Sequence, residues 1–141
     1  MTEIEKQWEE LTQRYVSKLN KYDGDWTQLN EEEQELSALW KLEADVYNGG
    51  FIQFFCNWGF DCYNFAIRCL GKIDAKEIYK IVTQQHAIIQ RLEDDENLQE
   101  LWDIPKLLTE LEIIELDKLD KKYWGNEDNL LEKTLKTYNH L

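Results

Sequence analysis

Apolar residues recur three and four apart along most of the chain, and charged residues fill the gaps. Ile4, Trp8, Leu11, Tyr15 and Leu19 make the first such stripe. Thr2 and Glu5 stand ahead of it at the spacing of a capping box, in which each side chain satisfies the other's backbone amide. The pattern predicts one amphipathic helix of about 18 residues. Tyr22-Asp23-Gly24-Asp25 ends it, because Asp and Gly favour turns.

Asn30 is the next N-cap candidate, with Glu31, Glu32 and Glu33 in the first turn behind it. Those acids have two readings. They complement the positive end of the helix dipole, or they form a binding patch. Leu36, Leu39, Trp40, Val46 and Tyr47 supply the buried face. Glu43 falls on that same face, three residues after Trp40 and four before Tyr47. A carboxylate there must find donors or become neutral. The expected donors are the loop amides of Asn48-Gly49-Gly50, or Gln53, which makes Glu43 a structural clamp; the other reading is a catalytic acid.

Asn48 and Gly49 are expected in the left-handed conformations that stop a helix, and Gly50 lets the next helix start close by. Phe51, Phe54, Phe55 and Trp58 then bury one aromatic face of a short helix. Gln53 and Asn57 lie four apart on another face, where they support loops or bind a ligand.

Asp61 is expected to cap a further helix carrying Cys62, Phe65, Ala66, Cys69 and Leu70, with Gly71 at its end. Asp74-Ala75-Lys76-Glu77 is a weaker capping box, since that pattern prefers Ser or Thr. Ile78, Ile81, Val82, Ile88, Ile89 and Leu92 follow at helical spacing. His86 shares a stripe with Tyr79, Val82 and Ile89, which predicts a partly buried, hydrogen-bonded histidine, with a ligand or base as the other reading. Glu93-Asp94-Asp95-Glu96 is the densest acidic run, read as a solvated loop or helix start. Leu98, Leu101 and Trp102 make an apolar turn, and Pro105 breaks or begins a helix. Leu107 to Tyr123 is read as one helix with Leu111, Ile114, Leu116, Leu119 and Tyr123 inward, ended by Gly125-Asn126. Leu130, Leu131, Leu135 and Tyr138 place a last helix on the core. Six or seven helices with short connections and no internal repeat predict an all-α bundle, one domain spanning residues 1–141.

Composition changes the picture in one respect. Apolar residues are 43% of the chain and aromatics 13%, enough for a core. The net charge, however, is −13, beyond the magnitude of roughly 2–8 usual for a small domain. The excess is not a tail: the two halves carry −7 and −6. Such a field repels nucleic acid and anionic membrane and attracts basic partners; it also serves solubility alone. Basic residues are sparse, so direct nucleic-acid binding is not expected.

Few residues stand in arrangements that carry chemistry. Cys56, Cys62 and Cys69 are odd in number and lack metal-site spacing. Cys62 and Cys69 fall two turns apart on an apolar stripe, as core residues do. With no signal peptide and no membrane-spanning run, free thiols in a reducing cytoplasm are expected. No phosphate loop, paired-Cys motif or zinc signature is present, so no metal or cofactor is expected. Ser17 and Ser37 sit inside helical patterns, and His86 and His140 form no pair by spacing. With 29 carboxylates, spacing says nothing about acid–base pairs, and no catalytic residue is assigned. The chain is not expected to be an enzyme.

The run Tyr47-Asn48-Gly49-Gly50-Phe51-Ile52-Gln53-Phe54-Phe55-Cys56-Asn57 resembles the core motif of a family of small acidic bacterial proteins. That family is mostly catalogued as a domain of unknown function, and its best-known member is a DNA mimic. The motif is Asn-Gly-Gly-Phe, a variable residue, Gln, two mostly aromatic residues, a variable residue and Asn. The similarity continues through Ala66, Leu70, Gly71 and Ala75, and is weaker at Leu116-Asp117…Tyr123 and in the last helix. It covers roughly residues 30–141, preceded by the N-terminal amphipathic helix. The chain departs from the family after Asn57, where Trp58-Gly59-Phe60 replaces small polar residues. The resemblance implies an all-helical fold, a homodimer and, for one member, binding to a transcription factor in place of DNA. Asn48, Gly49, Gly50, Phe51, Gln53 and Asn57 look like scaffold, as Glu43 does from its position.

The expected function is an acidic interaction protein that binds and blocks a basic DNA-binding protein such as a transcription factor. Duplex DNA carries one charge per about 1.7 Å of axis, and carboxylates three or four apart on a helix lie about 5–6 Å apart at Cβ. The candidate contact residues are Glu31, Glu32, Glu35, Glu93, Asp94, Asp95 and Glu96, with Glu112 and Glu115 behind them. One alternative is an immunity protein that neutralises a nuclease toxin by the same electrostatics. Another is a small-ligand protein or enzyme with a pocket around Glu43, Gln53 and His86, flanked by Asn48 and Asn57. A further reading is an acidic housekeeping module of unrelated function.

Overall fold

Seven α-helices and no strand carry the chain in the computed structural model, which describes residues 1–141. They are α1 (Glu3–Lys21), α2 (Glu31–Gly49), α3 (Phe51–Lys72), α4 (Lys76–Ile89), α5 (Ile104–Leu107), α6 (Glu110–Trp124) and α7 (Leu130–Thr137). Short 3-10 turns occupy Trp26–Gln28, Gln90–Asp94 and Leu101–Asp103. The core is one cluster of 29 buried apolar residues, including Leu36, Leu39, Phe51, Phe54, Leu70 and Tyr123.

Local chemistry starts three of the helices. Thr2 and Glu5 cap α1 reciprocally, with the Thr2 amide donating to Glu5 at 2.8 Å and the Glu5 amide to Thr2 Oγ1 at 3.1 Å. Asn30 and Glu33 do the same for α2, and Thr109 and Glu112 for α6. The Thr109 cap divides the segment read as one helix: Leu108 is extended, and α5 stands apart from α6. That phase also turns the first half of α6 outward. Leu111 is 78% exposed and Ile114 49%, against the expectation that both face inward, because α6 buries only its second half, from Leu116 to Tyr123.

The helices α1 and α2 pack antiparallel. Lys18 near the end of α1 holds Glu33 at the start of α2 at 2.9 Å, and Trp40 Nε1 donates to Glu9 at 3.3 Å. The pair α2–α3 is also antiparallel, since Arg68 and Lys72 at the end of α3 meet Glu31 and Glu35 at the start of α2. A single residue, Gly50, turns the chain between them, with φ at 99°. Asn48 and Gly49 remain inside α2, so the left-handed residue is Gly50 and not the two before it.

That turn leaves α3 without a side-chain cap of its own. The Phe51 amide instead donates to Asp120 Oδ1 on α6 at 3.0 Å, and Gln85 Nε2 on α4 donates to the same oxygen at 2.7 Å. The carboxylate sits so close under the turn that a Cβ on Gly50 would collide with Asp120 Oδ2. A Cβ on Gly49 would run into Gln53 Oε1. α4 is capped in the same indirect way. Its N-cap is Ala75, and the expected Asp74–Glu77 box is absent. Asp128, 50 residues further on, accepts the Ile78 amide at 2.7 Å.

Two other expectations about breaks move. The chain bends within α3 at Gly59, with φ 80° and ψ −168°, so Asp61 lies past the break without serving as the cap. Gly71 stays helical, and the turn after α3 is made by Asp74 at φ 61°.

Glu43 does not take the loop amides or Gln53. It accepts a hydrogen bond from the hydroxyl of Tyr123, a fully buried residue of α6. The carboxylate at the junction is Asp45, which accepts from Gln53 Nε2 at 3.0 Å, Asn57 Nδ2 at 3.3 Å and Trp58 Nε1 at 2.7 Å. So held, Trp58 lies 40% exposed as a roof over Lys41, whose Nζ is 3.5 Å from the indole centroid. Lys41 is 3% exposed and makes no ion pair, so the aromatic face is its counter-charge. Tyr47, expected inward, is half exposed and stacks edge-on against Tyr123.

Two stability predictions follow from this junction. Gly50→Ala is expected to cost at least about 2 kcal/mol, because the left-handed backbone and the Asp120 contact both oppose a Cβ. Gly71→Ala, where a Cβ meets nothing, is expected to be neutral or to stabilise by up to about 1 kcal/mol. Urea denaturation of the two variants checks this.

Burial lifts the Glu43 carboxyl to about 7, against the opposing pull of the Tyr123 hydroxyl. Its folded value therefore exceeds its unfolded one. The stability this provides is full below about pH 4.5 and is lost as pH rises through about 7. Glu43→Gln keeps an acceptor for Tyr123 and never ionises. It is expected to match the parent near pH 4.5 and to exceed it by about 2–3 kcal/mol at pH 8. A parent chain as stable as the variant at pH 8 overturns the assignment.

Candidate partner-binding surface

The acids at the start of α2 are largely neutralised. Glu35 is fully buried and cannot meet a partner. It accepts from Arg68 Nε at 2.5 Å, from Lys72 at 2.8 Å and from the Tyr138 hydroxyl at 2.9 Å. Glu35 faces α3 because it lies one turn before Leu39, on the packed side of α2. The sequence held a signal for this: Arg68 and Lys72 stand four apart in an otherwise acidic chain. Glu31 is exposed but shared between Arg68 and Lys72, each at 3.5 Å. Glu32 is 2.6 Å from His140 Nε2.

The second acidic group differs. Between Arg91 and Lys106 there is no cation, and six carboxylates lie there: Glu93, Asp94, Asp95, Glu96, Glu100 and Asp103. This stretch is a strap tied down at both ends by Leu92 and Ile104, each at most 2% exposed. Near its far end Cys56 Sγ donates to the Leu101 carbonyl at 3.2 Å. Leu101 also seats against the bend of α3: its Cδ1 would lie 3.2 Å from a Cβ on Gly59. The strap braces itself as well. Asp95 accepts the Asn97 amide at 2.8 Å, and Asp103 accepts the amides of Gln99 and Glu100 at 3.1 and 3.0 Å. Those two amides hold the Asp103 carboxyl below its ordinary value. Arg91 anchors the near end by pairing with Glu112, whose carboxyl it pulls down to about 2.

Asp94 and Glu96 make no side-chain hydrogen bond or ion pair, Glu100 pairs with no cation, and all three are exposed. Glu93 lies 3.8 Å from His86 Nε2. Beside these acids Phe60 and Trp102 are each 49% exposed. Glu115 is exposed without a partner, while Glu112 is engaged by Arg91.

The two acidic groups do not join. No hydrogen bond or ion pair links them. Their anchors on α3, Phe60 and Arg68, are separated by roughly 12 Å of helix.

Nor do Glu43, Gln53 and His86 converge on one pocket. Glu43 is held by Tyr123 and Gln53 by Asp45. His86 stacks on Tyr63, with ring centroids 4.4 Å apart, at the edge of a small cleft of about 130 Å³ lined by Phe55, Phe60 and Leu101. His86 is 9% exposed but makes no hydrogen bond, where a satisfied ring was expected. Burial pushes its pKa down, with Glu93 opposing. The three cysteines are free and buried, and burial pushes their thiols up, that of Cys69 to about 12. No helix is long and apolar enough to cross a membrane.

The residues that sequence reasoning missed are Asp45, Gln85, Asp120 and Asp128. Gln85, Asp120 and Asp128 are buried and Asp45 half-buried, and each has its partner on another helix or beyond a turn. Gly50, Phe51, Gln53 and Asn57, with Asp45 and Asp120 as their partners, build the α2–α3 junction.

No curated protein and no solved structure matches the chain. Residues 27–140 match the family model described as DMP19-like protein, so the match covers everything from the turn before α2 through α7 and leaves α1 outside. The chain belongs to the DMP19-like protein family.

Proposed function

We propose that this chain is an acidic interaction protein that occupies the basic surface of a DNA-binding protein in place of DNA. The strap Glu93–Asp103 is its main contact surface. The observation that carries the reading is that strap: six carboxylates without an intervening cation, on a backbone fastened at both ends and again at Leu101. Fixed anions attract a cationic surface without first losing the freedom of a mobile tail. The exposed Trp102 and Phe60 beside them offer the aromatic anchors that interfaces favour. The net charge of −13 adds long-range attraction for a basic partner. Membership of the DMP19-like family agrees with this reading.

The test is affinity capture at low salt with mass spectrometry, a high-salt control and competition by duplex DNA. Asp94→Asn, Glu96→Gln and Glu100→Gln combined is expected to leave stability within about 0.5 kcal/mol. The same triple variant is expected to weaken the captured complex at least about tenfold at low salt. Binding that ignores salt between about 0.05 and 0.3 M, or that ignores the triple variant, overturns the reading.

A further inference from the structure

An open groove of about 200 Å³ lies between α6 and the α2–α3 junction. Its walls are apolar, from Ile52, Leu108, Ile113 and Leu116, and two carboxylates, Asp117 and Asp120, close one side. Asp120 is 8% exposed. Its Oδ1 takes both the Phe51 amide and Gln85, while its Oδ2 takes no hydrogen bond from the chain. Asp117 lies one turn earlier on the same helix face, exposed and unpaired. No Lys or Arg of the chain pairs with either. Of the other carboxylates below 9% exposure, Glu35 holds two cations and Asp128 has Lys133 at 4.0 Å. Asp120 alone among them lacks a cation.

We propose that this groove takes an arginine side chain of the basic partner. The aliphatic stem lies on Ile52, Ile113 and Leu116, and the guanidinium bridges Asp117 and Asp120 Oδ2. The proposal rests on the reading above, since it assumes a basic partner. Charge complementarity selects a cation, because Asp120 keeps one oxygen free of donors beside a second carboxylate and neither has a cationic partner. The apolar walls select one with a long hydrocarbon stem. The guanidinium is preferred over an ammonium because it is planar, more weakly hydrated and offers several donors to two acceptors. The volume of about 200 Å³ suits one long side chain. Burial pushes the Asp120 carboxyl up and Asp117 adds to it; the charge of a bound cation opposes that shift.

The experiment uses the full chain, with methyl and amide NMR, and four capped tripeptide amides of the form acetyl-Gly-X-Gly. X is arginine, lysine, citrulline or norleucine. The arginine peptide is expected to shift the Ile52, Ile113 and Leu116 methyls saturably. Citrulline keeps the shape without the charge and is expected to bind at least about tenfold more weakly. Lysine is expected to fall between them. Asp117→Asn, on the surface, and Asp120→Asn, which retains an acceptor for Phe51 and Gln85, are each expected to weaken the arginine peptide about threefold or more. The triple strap variant is expected to bind it as the parent does. Absence of saturable shifts at these methyls, equal binding of citrulline, or indifference to Asp117→Asn overturns the proposal. So does sedimentation as a dimer with the groove methyls covered by a second copy. If the peptides fail while the salt-sensitive complex persists, the groove falls and mimicry stands. If the peptide binds but no basic protein is captured, mimicry falls, and with it the assignment of the arginine to such a partner.

Discussion

A one-residue turn between two long antiparallel helices creates a problem that the rest of the molecule is arranged to solve. Gly50 reverses the chain so tightly that no residue before Phe51 is placed to cap α3. An unpaired amide at a buried helix start is costly. Asp120 removes that cost from 69 positions away, and the same oxygen draws in Gln85. One carboxylate thus ties α3, α4 and α6 together. Its tight approach is also what confines position 50 to glycine, since both the positive φ and the contact forbid a side chain.

The acidity of this chain therefore divides into two populations with opposite duties. Glu35, Glu43, Asp45, Asp120 and Asp128 turn inward and serve as acceptors for amides, hydroxyls and cations. They cost desolvation, which is tolerable where two or three donors meet each carboxylate. Glu43 has a single donor, and its raised carboxyl records that shortfall. The outward acids of the strap have little to do with folding. Asp94, Glu96 and Glu100 pair with no cation of the chain, and their repulsion is borne by the apolar and backbone ties beneath them.

What was legible in the sequence follows from range. The caps at Thr2 and Asn30 and the stripes of α1 to α4 depend on neighbours within one turn, and pattern alone reaches them. The Thr109 cap was equally local, yet the apolar run from Leu107 onward masked it, and with it the outward phase of Leu111 and Ile114. Glu35 was misplaced for a different reason. An acid in the first two turns of a helix is ordinarily solvated, and only the arrival of Arg68, Lys72 and Tyr138 from distant helices makes burial affordable. The donors assigned to Glu43 were the nearest in sequence, whereas the actual one, Tyr123, is 80 residues away. Helical periodicity reports which face is inward but not which polar group waits there.

The distinction between the two acidic groups decides which of them suits an outside cation. A carboxylate already paired within the chain must break that pairing to bind elsewhere, so its exposed position is a poor guide to its availability. The start of α2 shows this: Glu31 and Glu32 reach the surface, yet Arg68, Lys72 and His140 already hold them. The strap reverses both conditions. Asp94, Glu96 and Glu100 pair with no cation, while Asp95 and Asp103 brace the loop, and Cys56, Leu92 and Ile104 tie its backbone down, so little ordering remains to be lost on association. Asp117 and Asp120 Oδ2 meet the same two conditions in the groove, where the junction that fixes the fold leaves one carboxylate oxygen unspent. Availability of charge on a rigid support, and not density of charge along the sequence, is what separates a contact surface from a helix start.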